Sequence, residues 1–93
     1  MSPLLPYDQW VALRRLYIAG KRGIQYDGQR YGDAGPWSVL QQLRDRTPSL
    51  MREVTRTTPD KQMLYLVVIT EAGVAFYEAN ERLHDTFYPP DND

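Results

Sequence analysis

The sequence contains no cysteine, a single histidine (His84) and no long apolar run. Without cysteine the chain has no disulfide, no thiolate nucleophile and no zinc site built on cysteine. Its longest apolar stretch, residues 63–69, is far shorter than the roughly 20 residues of a membrane-spanning helix. The first residues also lack the basic start and apolar stretch of a signal peptide. We therefore predict a cytoplasmic protein with no membrane partner.

Motifs of catalysis and cofactor binding are missing as well. The three serines lie outside any nucleophile motif, and the glycines at 28, 32 and 35 lack the lysine and the strand–turn–helix setting of a phosphate-binding loop. Glu81 and Asp85 stand beside His84, a pattern typical of a solvated helix face rather than a metal site. The sequence predicts that the protein is not an enzyme and that it uses no cofactor and no metal.

The composition is that of one small globular domain. The 93 residues are 42% hydrophobic and 25% charged, close to the globular average. A chain of this length has room for one hydrophobic core. We predict a single domain over residues 1–88, followed by a flexible tail over 89–93 that is rich in proline and aspartate.

Charge is distributed unevenly along the chain, although the net charge is only −1. Residues 14–61 contain ten cations and five carboxylates, a net of +5, whereas residues 62–93 contain one cation and six carboxylates, a net of −5. This asymmetry suggests a basic working surface and an acidic far end.

The periodicity of the apolar residues predicts three helices and three strands, an α+β fold. The first helix covers residues 6–19, with Val11, Ala12 and Ile18 making its reverse face apolar too, so that it is covered on both sides. A short strand at 24–26 follows. A helix with one apolar and one polar face begins at Pro36. Thr70 is the expected N-cap of the last helix, which runs to residue 87. Between these two helices, strands at 50–57 and 62–69 flank turn residues 58–61.

Two stretches carry a resemblance to a known family. Residues 39–46 followed by 50–54 look like a recognition helix leading into a strand, and residues 66–77 contain Ile69-Thr70-Glu71-Ala72-Gly73 between a hairpin and a helix. This order resembles the winged helix-turn-helix domain of MarR- and PadR-type regulators. The resemblance implies a winged helix, with a two- or three-stranded antiparallel wing, that binds double-stranded DNA as a homodimer. A brace helix before the recognition helix would have to lie within residues 24–35.

The resemblance also implies DNA contacts from the recognition helix (about 36–46) and the wing (about 50–69). Glutamine suits bidentate contact with adenine, and cations suit phosphates. The expected base contacts are Ser38, Gln41 and Gln42, and the expected phosphate contacts are Arg44, Arg46, Arg52, Arg56 and Lys61. The alternative for both sets is an ordinary solvated surface, and Asp45 on the same helix face favours it slightly.

Two further patterns leave alternatives open. Arg52 and Arg56 share strand parity with Leu50 and Val54, which indicates either a twist or bulge, or an edge strand whose arginine stems cover apolar surface. In the last helix an apolar stripe at near-heptad spacing predicts a dimer interface or, alternatively, packing on the chain's own hairpin and first helix. That stripe consists of Ala72, Phe76, Ala79 and Leu83.

The function predicted on these grounds is a DNA-binding transcriptional regulator. The alternative is a winged-helix module that binds a protein partner and has no sequence-specific contact with DNA. The weak brace, the net charge of −1 and Asp45 favour this alternative.

Overall fold

The computed structural model describes residues 4–25 and 34–89. Three helices and a three-stranded antiparallel sheet make up this part of the chain, which confirms the α+β class and fits a winged-helix domain. The elements in chain order are α1 (Tyr7–Ala19), a 3₁₀ turn (Gly20–Arg22), β1 (Ile24–Gln25), α2 (Trp37–Arg44), β2 (Met51–Thr57), β3 (Met63–Ile69) and α3 (Glu71–Phe87). The stretch in which a brace helix would have to lie and the predicted tail fall mainly on residues 26–33 and 90–93, outside the described residues.

Helix α1 is buried along one face and open on the other. Trp10, Leu13 and Leu16 recur at helical spacing and are fully buried. The predicted cover on both sides is wrong at the end of the helix, because Ile18 is 67% exposed. The helix stops at Gly20, whose φ of 61° is a conformation that side chains with a Cβ rarely adopt.

The sheet places β3 in the middle, with β1 on one side and β2 on the other. Strands β2 and β3 pair without interruption from Met51 opposite Ile69 to Thr57 opposite Met63. The arginine parity conflict is therefore resolved without a bulge. Residues opposite each other in antiparallel strands lie on the same face, so Met51 and Val67 turn to the core while Arg52 and Val54 turn away from it.

Helix α2 is short, and its apolar face packs into the core. Val39, Leu40 and Leu43 are buried. The helix ends at Arg44, two residues earlier than predicted, where the N–H of Asp45 still donates to the carbonyl of Gln41 (2.9 Å). The N–H of Leu50 then donates to the carbonyl of Leu43 (3.1 Å), which ties the start of the wing to the helix end.

Helix α3 begins at the predicted cap. The hydroxyl of Thr70 accepts from the N–H of Gly73 (2.9 Å) and donates to the carbonyl of Ser49 (2.6 Å). A Cβ at position 73 would lie 2.3 Å from the carbonyl oxygen of Leu50. The Thr-Glu-Ala-Gly sequence therefore has a physical reason: threonine caps the helix, and glycine lets the helix approach the backbone in front of β2.

The core contains a stack of aromatic rings in which His84 takes part. The His84 ring lies 3.7 Å from Trp10, centroid to centroid, and is fully buried, so the predicted solvated face at this position is wrong. Its Nε2 accepts from the N–H of Leu5 (2.9 Å), and its Nδ1 lies 2.8 Å from the carbonyl of Asn80. Because a carbonyl can only accept, Nδ1 carries the proton. Histidine thus joins the start of the described chain to α3.

Candidate nucleic-acid interface

The polar face of α2 is exposed as the sequence predicted. Ser38, Gln41 and Gln42 are all exposed, and Asp45 lies exposed just beyond the helix end. Opposite them, the apolar face is buried. The two faces thus follow the helical period, and the helix presents short polar side chains outward.

Two of the predicted DNA contacts on this side are bonded to α1. The buried side chain of Gln9 donates through Nε2 to Oε1 of Gln42. Its own Oε1 accepts from Nε and Nη2 of Arg46, at 3.3 and 3.1 Å. This three-residue cluster orients the end of α2 against α1. Ser38 and Gln41 are the predicted base-contacting residues whose side chains have no partner among the described residues.

Arg44 is compensated by two carboxylates. It lies 3.3 Å from Asp45 and 3.2 Å from Glu53, and its guanidinium stands over the ring of Trp37 at 5.1 Å from the centroid. The hydrogen bond to Asp45 raises the pKa of Arg44, and the bond to Glu53 raises it further. Arg44 therefore bridges α2 and β2, and much of its charge is already balanced within the chain.

The wing consists of β2, β3 and the turn between them. Its two arginines, Arg52 and Arg56, lie on one face of the sheet, and Met51 and Val67 lie on the other. We define the outer wing face by the alternate residues of its two strands on the side of the sheet opposite Met51 and Val67, where Leu66 and Val68 are buried and the arginines are exposed. No residue of this set is acidic: it consists of Arg52, Val54, Arg56, Leu64, Leu66 and Val68. Both arginines are exposed on β2, an edge strand. The position of β2 at the edge of the sheet agrees with the edge-strand alternative.

Arg56 is held in place by neutral acceptors. Its Nη2 donates to the carbonyl of Lys21 (2.8 Å), and its Nη1 donates to the carbonyl of Arg22 (3.4 Å). Carbonyls orient a guanidinium without cancelling its unit charge. Arg52 has no hydrogen-bond or ion-pair partner within the described ranges. The same contact brings Lys21 and Arg22 to the wing, two exposed cations that the predicted set of DNA contacts missed.

Gly23 explains why this turn can lie on the sheet. Its φ is 75°, and a Cβ there would lie 2.8 Å from both the carbonyl oxygen of Val67 and Cγ1 of Val68. Glycine at 20 and 23, on either side of Lys21-Arg22, was the sequence signal that could have assigned these cations to the wing.

A groove of about 680 Å³ runs along the outer wing face. Its floor includes Val54 and Val68, and cationic side chains from the 3₁₀ turn and β2 stand along it. Glu71, at the start of α3, is a carboxylate among its lining residues. The cations in the lining are Lys21, Arg52 and Arg56.

Lys61 lies at the tip of the wing, where it was predicted to contact phosphate. It is exposed, and its φ of 66° is unusual for a residue other than glycine. Thr58 closes the turn, accepting from the N–H of Lys61 (2.9 Å) and donating to the carbonyl of Gln62 (2.8 Å). The turn thus directs a cation away from the body of the sheet.

The predicted dimer stripe is not the face by which α3 enters the core. The buried residues of α3 are Gly73, Tyr77 and His84, a different side of the helix. Within the stripe, Ala79 is exposed, Ala72 and Leu83 are half-buried, and Phe76 packs partly on the core. The Phe76 contact corresponds to the packing alternative, while the remaining stripe residues stay accessible.

Within residues 4–25 and 34–89, no group of three or more histidine, aspartate or glutamate side chains is arranged to hold a metal ion. In the same ranges, no helix has the length and apolar character needed to cross a membrane. No family model, curated protein or solved structure matches the chain.

Proposed function

We propose that this protein binds double-stranded DNA through its winged-helix domain and regulates transcription, with the outer wing face supplying most of the phosphate contacts. The observation that carries the proposal is the uncompensated charge of Arg52 and Arg56. Both are exposed on one face of an edge strand, and Lys21 and Arg22 lie beside them. Phosphate contacts of this kind dominate the affinity of proteins for DNA.

Sequence discrimination, in this proposal, comes from the exposed face of α2. Ser38 and Gln41 are accessible and have no intramolecular partner in the described residues, so they are available to base edges. Gln42 and Arg46 first have to leave Gln9. We therefore expect that electrostatic attraction supplies a large part of the affinity for DNA and that the preference for particular sequences is modest.

The test is binding to a labelled random-sequence duplex, measured by fluorescence anisotropy across a series of salt concentrations. We expect micromolar affinity at low salt that falls steeply as salt rises. The double variant Arg52→Glu/Arg56→Glu should abolish binding because it reverses two phosphate contacts. Circular dichroism should show that this variant remains folded.

The matched control is Arg15→Glu/Arg82→Glu, which changes the net charge equally at two exposed helix positions outside the groove lining. It should retain most of the affinity. Equal losses in the two double variants would mean that only net charge matters. No binding of the wild type at micromolar protein and low salt would favour the alternative, a module that contacts a protein partner.

The proposal includes a homodimer formed through the accessible residues of the α3 stripe, because two-fold symmetry matches palindromic DNA sites. Ala79→Glu places a charge in the stripe at an exposed position and leaves the core untouched. We expect the wild type to sediment as a dimer and Ala79→Glu as a monomer in analytical ultracentrifugation. A wild type that stays monomeric at high concentration would remove the dimer from the proposal.

A further inference from the structure

Strand β2 ends the sheet on one side, and no strand of residues 4–25 or 34–89 pairs with its far edge. The strand is seven residues long, and β3 is its neighbour in the sheet order β1-β3-β2. An edge strand of this length presents unpaired backbone groups that can accept another strand.

Two hydrogen bonds at the ends of the wing establish which groups these are. The N–H of Thr58 donates to the carbonyl of Gln62 (2.8 Å), and the N–H of Thr70 donates to the carbonyl of Leu50 (3.2 Å). In an antiparallel ladder, residues bonded to the neighbour alternate with residues that point away. Even-numbered residues of β2 therefore bond to β3, and the backbone groups of Glu53, Thr55 and Thr57 point outward. All three residues are exposed.

The side chains along this edge differ between the two faces of the sheet. On the outer wing face, Arg52 and Arg56 flank Val54. On the other face, Thr55 and Thr57 stand opposite Tyr65 and Met63, which are 53% and 56% exposed. A strand added here would meet positive charge on one face and, next to Glu53 and its partner Arg44, partly apolar surface on the other.

We propose that an acidic, extended segment of a partner protein docks on this edge as a fourth, antiparallel strand. Its carboxylates alternate with apolar residues, so that acidic side chains lie beside Arg52 and Arg56 while apolar side chains lie beside Thr55 and Thr57. A second copy of this chain is disfavoured in one register. Pairing two β2 strands antiparallel about Val54 sets arginine opposite arginine, and like charges directly opposite each other repel.

The probe is a seven-residue peptide of alternating glutamate and valine, with glutamate at both ends and both ends blocked. Paired antiparallel, its valines stand opposite Glu53, Thr55 and Thr57 and exchange hydrogen bonds with them, and its glutamates lie on the outer wing face. We expect this peptide to bind in an anisotropy titration, and the same peptide with lysine in place of glutamate to show no binding.

N-methylation distinguishes strand addition from simple charge attraction. Methyl groups on the valine nitrogens remove the bonds that face β2, whereas methyl groups on the glutamate nitrogens point away from it. The first peptide should lose binding and the second should keep it. Equal affinity of the two methylated peptides would overturn the proposal.

A variant of the protein tests the same edge. Thr55→Pro removes one outward N–H and leaves the ladder to β3 intact, a position at which an edge strand tolerates proline. It should lower the affinity for the acidic peptide about tenfold, consistent with the loss of about one hydrogen bond. The control Thr55→Val retains the N–H and should bind the peptide as the wild type does.

This inference goes beyond DNA binding and fails independently of it. Thr55→Pro keeps every cation of the outer wing face, so duplex affinity should stay unchanged while peptide affinity falls. Arg52→Glu/Arg56→Glu should reverse the peptide preference from glutamate to lysine. Two results would contradict the proposal. One is an unchanged peptide affinity in Thr55→Pro, and the other is a glutamate peptide that still binds the Arg52→Glu/Arg56→Glu variant.

Discussion

The end of α2 and the outer wing face each carry two arginines, yet the two regions present very different charge to a ligand. Arg44 is paired with the carboxylates of Asp45 and Glu53, whereas Arg46 bonds to the neutral amide of Gln9 and keeps its unit charge. Within the part of the chain that the structure describes, Arg52 has no such partner and Arg56 bonds only to carbonyls. Charge available to a ligand depends on the partners a side chain has already found, so the number of cations in a segment is a poor guide to it.

The arginines of the two regions are also held in place by different kinds of acceptor. At the end of α2, carboxylates and an amide hold the arginines, which stabilises the joint between α1, α2 and β2. On the wing, the carbonyls of Lys21 and Arg22 hold Arg56 while leaving its charge uncancelled. Such a side chain is ordered in advance and so loses less conformational freedom when it binds an anion.

The largest effect that we expect is on the unfolding free energy, and it comes from a substitution of Gly23, in the turn beside the wing. Gly23→Ala should destabilise the domain by about 3 kcal/mol, because it combines an unfavourable positive φ with overpacking against β3. It should also displace the turn whose carbonyls hold Arg56. Chemical denaturation in urea measures the change in unfolding free energy.

Gly20→Ala is the matched control for this change. Gly20 also has a positive φ, but a Cβ there would meet nothing within 4 Å. We expect it to cost only the conformational part, about 1–2 kcal/mol. If the two variants were equally destabilised, the contact of the turn with Val67 and Val68 would not hold the turn on the sheet.

The elements of the fold were predictable because each one is encoded locally. Apolar residues at helical spacing predicted α1 and α2, threonine predicted the α3 cap, and turn residues between two β-branched runs predicted the wing. The burial of His84 was not predictable. Its stacking on Trp10 and its bond to the N–H of Leu5 join residues 74 and 79 positions apart, and no local pattern reports such a contact.

The candidate interface was predictable in outline and not in its pairing. The exposed face of α2 followed from the helical period, whereas strand parity left the direction of the β2 arginines open, because they share it with Leu50 and Val54. The bond between Gln9 and Arg46 spans 37 positions, and the contact of Arg56 with Lys21 spans 35. Those contacts decide how the two arginines are held, and they arise only when α1 packs against α2 and the 3₁₀ turn lies on the sheet.

We expect a smaller effect, on stability and on duplex affinity, from a substitution of Gln9 beside the end of α2. Gln9→Ala removes the acceptor of Arg46 and the donor to Gln42, so the stability should fall by about 1 kcal/mol for the lost hydrogen bonds. Both side chains then become available to DNA. We expect the duplex affinity at low salt to rise about threefold, since an uncommitted cation near phosphate adds modestly to binding.

Gln9→Glu tests the same site with the opposite sign. The carboxylate keeps Arg46 and balances its charge, so duplex affinity should fall below that of the wild type while Gln9→Ala lies above it. Anisotropy titrations of the three proteins at one salt concentration measure this order directly. If all three bound alike, Arg46 and Gln42 would lie outside the DNA interface, and the outer wing face would account for the phosphate contacts without help from the end of α2.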